Sequence, residues 1–104
     1  MANPWTGEVA LVVDGQRHVA KLTLGALAEL EARLGAGSLT EMVSRFEGEA
    51  LKSADVLALV CAGLRGGGWQ GDLEDLLHAE IEGGVLEAAR VAARLLMLAF
   101  RPQQ

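Results

Sequence analysis

Four glycines and a tryptophan occupy the stretch LRGGGWQGD, residues 64–72, and glycine-rich stretches of this kind can bind phosphate. A phosphate loop needs a strand leading into the glycines and a helix leaving them, so that free N–H groups meet the anion. Here the pattern predicts a helix before the glycines, no Lys-Ser/Thr pair follows them, and the three carboxylates of DLED (72–75) would repel phosphate. The sequence therefore predicts a joint between two helices, with Gly66 or Gly67 in the left-handed conformation and Trp69 packed back on the apolar face.

The titratable side chains give little support for catalysis or metal binding. Cys61 lies in an all-round apolar segment, which predicts a packed, unreactive thiol. Glu74 and Glu82 flank His78 at i−4 and i+4, and this acidic row could hold a cation, but a metal site usually has more imidazole or thiolate ligands. A solvated helix face is favoured there, and a half-buried position for His18. With no Ser-His-Asp set, Cys-x-x-Cys pair or HExxH spacing, we expect no enzyme, no metal and no cofactor.

Composition limits the class of protein. The 104 residues are enough for a single domain (1–104), and 51% apolar with 22% charged residues is typical of a folded globular chain. A net charge of −5 does not provide the cationic field that a nucleic acid needs, so nucleic acid is not an expected partner. The single cysteine, the lack of a leader and the lack of an apolar run of about 20 residues predict a cytoplasmic domain with no membrane partner.

The chain opens with a predicted β-hairpin, residues 8–23. Segments 8–13 and 16–23 flank Asp14-Gly15, a strong signal for a type I′ turn, and this turn places Glu8 opposite Lys21. One face of the hairpin then carries Val9, Leu11, His18, Ala20 and Leu22. Because an isolated hairpin is marginal in water, this face must pack on the rest of the chain.

After the hairpin the apolar period changes from 2 to 3.6, which predicts about five short helices over residues 24–101. Their expected starts are Thr23, Ser38, Ser53, Asp72 and Val85. The first helix carries the apolar stripe Leu24, Leu27, Leu30 and Leu34, and the fourth carries Leu73, Leu76, Leu77 and Ile81. The third is apolar on every side over 56–64, so we expect it to be the most buried. The predicted fold is α+β, a hairpin followed by a compact helical bundle.

The last helix, about 85–100, has more apolar surface than one buried face requires. Its polar positions form one strip, Glu87, Arg90, Arg94 and Arg101, and residues 95–100 (LLMLAF) include no polar side chain. The helix is therefore either central in the core or part of a groove that binds a helical partner. In the second case the partner-binding residues are Leu95, Leu96, Leu98 and Phe100.

The order of these motifs resembles a known family. N-x-W-x-G-E-V, a hairpin closed by Asp-Gly, and LTLGALAELEARLGAGSL resemble the opening of small gene transfer agent proteins. The capped SADVLALVCAGLRGGG and the terminal AARLLMLAF are also similar, so the likeness covers about residues 3–101. That family is grouped with phage tail assembly chaperones, and some of its names describe tail tube proteins.

The resemblance implies a non-enzymatic factor of tail morphogenesis, encoded by a gene transfer agent or a prophage. As a tail assembly chaperone it would bind the helical tape measure protein and keep it soluble until tube subunits polymerise around it. The alternative is a structural subunit of the tail or particle that self-associates. The expected partners are accordingly the tape measure protein, other tail proteins or further copies of the chain.

Overall fold

The structure, a computed structural model, describes residues 7–34 and 53–99. Its elements are β1 (Glu8–Val13), β2 (Gln16–Lys21), α1 (Leu24–Leu34), α2 (Ser53–Gly66), α3 (Leu73–Leu77) and α4 (Gly84–Ala99). This order confirms the predicted α+β fold, a hairpin followed by helices. Four helices are described instead of about five, and the helix expected from Ser38 lies outside the described residues.

The hairpin has the predicted turn and register. Asp14 and Gly15 both have positive φ, 51° and 79°, as a type I′ turn requires, and Glu8 pairs with Lys21. The face turned to the core carries the buried side chains Val9, Leu11, Val13, Ala20 and Leu22, with His18 half-buried.

Strand β2 ends at Lys21, two residues earlier than expected, because Thr23 begins the next helix. Its hydroxyl oxygen accepts a hydrogen bond from the Ala26 N–H at 3.1 Å, which confirms it as the cap of α1. Leu27 and Leu30 are buried, as the predicted stripe requires. Leu24, which the stripe also includes, is exposed, because it occupies the first position of α1, beyond the edge of the core.

Helix α2 is the centre of the core. Seven consecutive residues from Ala58 to Leu64 are buried, and the helix contacts α1, β2, α3 and α4. Among the described helices, this confirms the prediction that the all-round apolar segment is the most buried one. Packing against α4 is close: a Cβ on Gly63 would lie only 2.6 Å from Cδ1 of Leu95. Because Gly63 has no side chain, the Leu95 side chain packs directly against the backbone of α2.

Candidate functional site

The glycine stretch is a helix joint, as the sequence predicts. The N–H of Trp69 donates to the Leu64 carbonyl at 2.9 Å, and that of Gly68 donates to the Arg65 carbonyl at 3.1 Å, which is the Schellman pattern. The left-handed residue is Gly68, with φ 107°, so the expectation of Gly66 or Gly67 was wrong. Helix α2 continues through Gly66 and thereby moves the cap toward the C-terminus. Since these N–H groups bond to the end of α2, they do not form a phosphate cradle.

Gly66 and Gly67 have another role, which sequence reasoning missed. A Cβ on Gly66 would overlap the carbonyl oxygen of Lys21, and a Cβ on Gly67 would overlap that of Val19. The end of α2 therefore lies directly on the backbone of β2. A glycine pair at a helix end is the one signal in the sequence that could have indicated such a contact.

Asp72 caps α3, as predicted. Its side chain accepts from the Asp75 N–H at 3.0 Å, and the Asp75 side chain accepts from the Asp72 N–H at 3.0 Å. This capping box gives hydrogen-bond acceptors to two N–H groups at the start of the helix that have no acceptor within the helix. The expected stripe through Ile81 was too long, because α3 ends at Leu77. Leu76 is buried and Leu77 is exposed.

We expect Asp72→Ala to destabilise the domain and Asp72→Asn to do so less, because Asn keeps an accepting oxygen at the cap. The hydrogen bond from the Asp75 N–H lowers the pKa of Asp72 below its ordinary value of 3.8. The charge of the folded cap therefore contributes stability that is present above about pH 3.8 and is lost as the pH falls through the lowered pKa. Urea unfolding of both variants and the wild type, at neutral pH and below pH 3.8, measures this. A wild-type advantage over Asp72→Asn that grows in acid would contradict it.

The predicted acidic row around His78 does not form on one helix. His78 Nε2 lies 3.8 Å from Glu74 Oε1, with both side chains exposed. Glu82 lies beyond the end of α3, where its N–H donates to the Val12 carbonyl at 3.0 Å. In residues 7–34 and 53–99, no group of three or more His, Cys, Asp or Glu side chains is arranged to hold a metal ion.

Cys61 is buried in α2, and burial raises the pKa of its thiol. We expect the native thiol to react slowly with an aromatic disulfide reagent and quickly after unfolding in guanidinium, because only the exposed thiolate is a good nucleophile. Absorbance of the released thiolate measures both rates. Equal rates in the folded and unfolded protein would show that the thiol is accessible in the native state.

A concave apolar surface lies between α2 and the chain around the start of α4, with a volume of about 540 Å³. We call it the apolar groove; its lining includes Val56, Leu57, Ile81, Val85 and Ala88. Glu80 is the one ionisable side chain among the lining residues in the described chain. The groove therefore has the character of a binding surface for apolar side chains.

One wall of the apolar groove is fixed by the turn of the hairpin. The N–H of Asp14 donates to the Glu80 carbonyl at 2.7 Å, and the Glu80 N–H donates to Asp14 Oδ1 at 2.8 Å. Val13 and Ile81 form an isolated antiparallel bridge beside them. These contacts fasten Glu80 and Ile81, which line the groove, to the end of the hairpin.

The structure places the four expected partner-binding residues in different environments. Leu95 is 1% exposed and Leu96 is also buried, so both belong to the core. Leu98 is half-buried and packs against that core, and Phe100 lies outside the described residues. The central-helix interpretation of α4 therefore holds for Leu95 and Leu96.

The exposed apolar side chains of α4 are others: Val85, Leu86 and Met97. Val85 borders the apolar groove, whereas Leu86 and Met97 share a surface with Arg90 and Arg94. The spacing i, i+4, i+8 and i+11 places these last four residues along one side of the helix. We call this surface the outer face of α4.

Residues 6–101 match the family model described as "Phage tail tube protein, GTA-gp10". The chain belongs to this family. Membership in the tail tube protein family agrees with the gene transfer agent resemblance and indicates a structural, tail-related role. No curated protein and no solved structure matches the chain. Among the described helices of this family member, none combines the length and the apolar character required to cross a membrane.

Proposed function

We propose that the protein is a non-enzymatic structural protein of a phage-like tail of the gene transfer agent type, which assembles by contact with other tail proteins or further copies of itself. The family match over residues 6–101 supports the tail-related part of this proposal. The apolar groove supports the assembly part, because its lining is almost entirely aliphatic and carries no constellation suited to catalysis.

The apolar groove is the single observation that carries an assembly role. Val85, which lines the groove at its border, is 81% exposed. Burying one such side chain stabilises a complex by roughly 1.5–3 kcal/mol. A partner that covered the groove would therefore gain stability from each apolar side chain that it buries.

Quantitative mass spectrometry of purified particles tests the proposal. A structural tail protein should be present in a fixed ratio to the other tail proteins and should remain after the particles are washed in high salt. The same measurement on cells that produce no particles controls for chance co-purification. If the chain is absent from washed particles, it is not a structural component.

A second candidate, a tail assembly chaperone that binds the tape measure protein, is favoured by the form of the groove. A concave aliphatic surface can hold the apolar face of an amphipathic helix. Under this hypothesis the chain is missing from finished particles but co-purifies from the producing cell with the tape measure protein. The two candidates therefore give opposite results in the particle and in the cell extract.

A further inference from the structure

The two edges of the hairpin differ in what lies beside them. At the outer edge of β2, the end of α2 lies directly against the backbone of the strand. At the outer edge of β1, the segment before α4 pairs with the strand: Ile81 bridges to Val13, and the Glu82 N–H donates to the Val12 carbonyl at 3.0 Å. The chain therefore extends the sheet beyond β1, but only next to the hairpin turn.

This pairing ends at Glu82. Gly83 and Gly84 both have positive φ, 92° and 68°, and the chain turns away from β1 into α4. The Gly84 N–H donates to the Ile81 carbonyl at 2.8 Å. In a continued antiparallel ladder it would instead donate to the Ala10 carbonyl. The two glycines thus end the added strand one bonded pair before Ala10.

The backbone of Ala10 is an open position at this edge. Alternate residues of a strand direct their N–H and C=O groups to the same edge, so Ala10 presents both groups on the side where Val12 bonds to Glu82. In the part of the chain that the structure describes, neither group of Ala10 has a hydrogen-bond partner. Strand β1, EVALVV, also lacks the Lys or Pro that commonly prevents pairing at an exposed edge. An extended peptide can therefore continue the sheet at Ala10.

A cavity of about 430 Å³ lies beside this part of β1. Three consecutive residues of the strand, 10–12, line it, so it follows the strand edge and not one face alone. Its charged residues are Arg17, Glu82 and Glu87, and among the described residues none of the three takes part in a salt bridge. Two carboxylates against one guanidinium favour a peptide that carries a basic side chain.

We propose that the outer edge of β1 at Ala10 binds an extended segment of another polypeptide, which adds a strand and places a Lys or Arg side chain beside Glu82 and Glu87. This names a kind of contact for the assembly role in the proposed function and rests on that role. Main-chain hydrogen bonds supply the affinity, and the basic side chain supplies the selectivity.

Amide NMR of the protein tests this, with the acetylated and amidated peptide Thr-Val-Lys-Val-Thr as the probe. Without peptide, the Ala10 N–H should exchange rapidly with solvent, whereas the N–H groups of Val9 and Leu11, which face β2, should exchange slowly. Peptide at millimolar concentration should shift the Ala10 signal and slow its exchange. Methylation of every backbone nitrogen of the peptide removes its donors and should abolish both changes.

Two protein variants locate the site. Ala10→Pro removes the edge N–H without removing a bond to β2, so it should abolish binding and leave the circular dichroism spectrum unchanged. Glu82→Lys, at an exposed position, should weaken binding of the Lys peptide by about fivefold and should favour a peptide with Glu in place of Lys. Glu74→Lys, the same change at an exposed position of α3 outside the cavity lining, is the matched control and should bind like the wild type.

An Ala10 signal that does not respond to the peptide overturns the proposal, as does binding that survives methylation of the peptide or prefers the Glu peptide in the wild type. A wild type that dimerises in sedimentation and becomes monomeric as Ala10→Pro assigns the edge to a second copy, and also overturns it. Particles that contain the chain despite these results leave the structural tail role intact. Peptide binding at the edge by a chain that is absent from washed particles refutes only that structural role.

Discussion

Leu95→Ala is expected to lower the free energy of unfolding by about 2–5 kcal/mol, the cost of deleting a fully buried leucine side chain. The side chain of Leu95 extends from α4 onto the backbone of α2 at Gly63. Because this backbone is part of a helix, it cannot shift to fill the cavity that alanine would leave. Urea unfolding followed by circular dichroism measures the change.

Met97→Ala, two residues away on the exposed side of the same helix, is the matched control. Its cost should stay within about 0.5 kcal/mol, as for most surface substitutions. A Leu95→Ala protein as stable as the control would place Leu95 on a surface, as the groove hypothesis from the sequence supposes.

Gly67→Ala is expected to destabilise the domain by about 1–3 kcal/mol or more, the typical cost of forcing extra atoms into a packed site. The added Cβ would overlap the Val19 carbonyl oxygen, and backbone on both sides leaves little freedom to relax. The end of α2 would have to move away from β2 and loosen the contact between the hairpin and the helices. Thermal and urea unfolding measure the loss.

Gly25→Ala controls for the intrinsic effect of adding a methyl group. Gly25 is exposed near the start of α1, where a Cβ would meet only the Thr23 hydroxyl oxygen at 3.9 Å. Alanine should stabilise this position by about 0.5–1 kcal/mol, because it restricts the unfolded chain and favours the helix. Opposite signs at the two glycines are therefore expected, and a neutral Gly67→Ala would show that α2 does not rest on β2 as described.

The groove of this tail family member depends on contacts that are distant in the chain. Asp14 and Glu80, 66 residues apart, are joined by hydrogen bonds in both directions. This pair fastens the hairpin turn to the segment between α3 and α4. A segment that is held in place before a partner binds reduces the entropic cost of association.

The sequence by itself determined the local interactions of this protein. The Asp14-Gly15 turn sets the register of the hairpin, and Thr23 and Asp72 cap their helices through bonds that span three residues. In each case the interacting groups are neighbours in the chain, so residue type and spacing are sufficient. The all-round apolar segment in α2 likewise predicts burial, because no orientation of such a helix could expose a polar face.

Tertiary structure decided what each apolar face packs against. Hydrophobic periodicity shows that a helix face is apolar, but it does not show whether the chain's own core or a partner covers that face. The sequence therefore left two environments open for Leu95 and Leu96, and their burial in the structure assigns them to the core. The role of Gly66 and Gly67 arises from the carbonyls of a strand more than 40 residues earlier. Helix α3 ends at Leu77. The backbone groups of Glu80 and Glu82, which would belong to a longer helix, instead form hydrogen bonds with the hairpin. These features depend on pairs brought together only by folding, and no spacing within one segment encodes them.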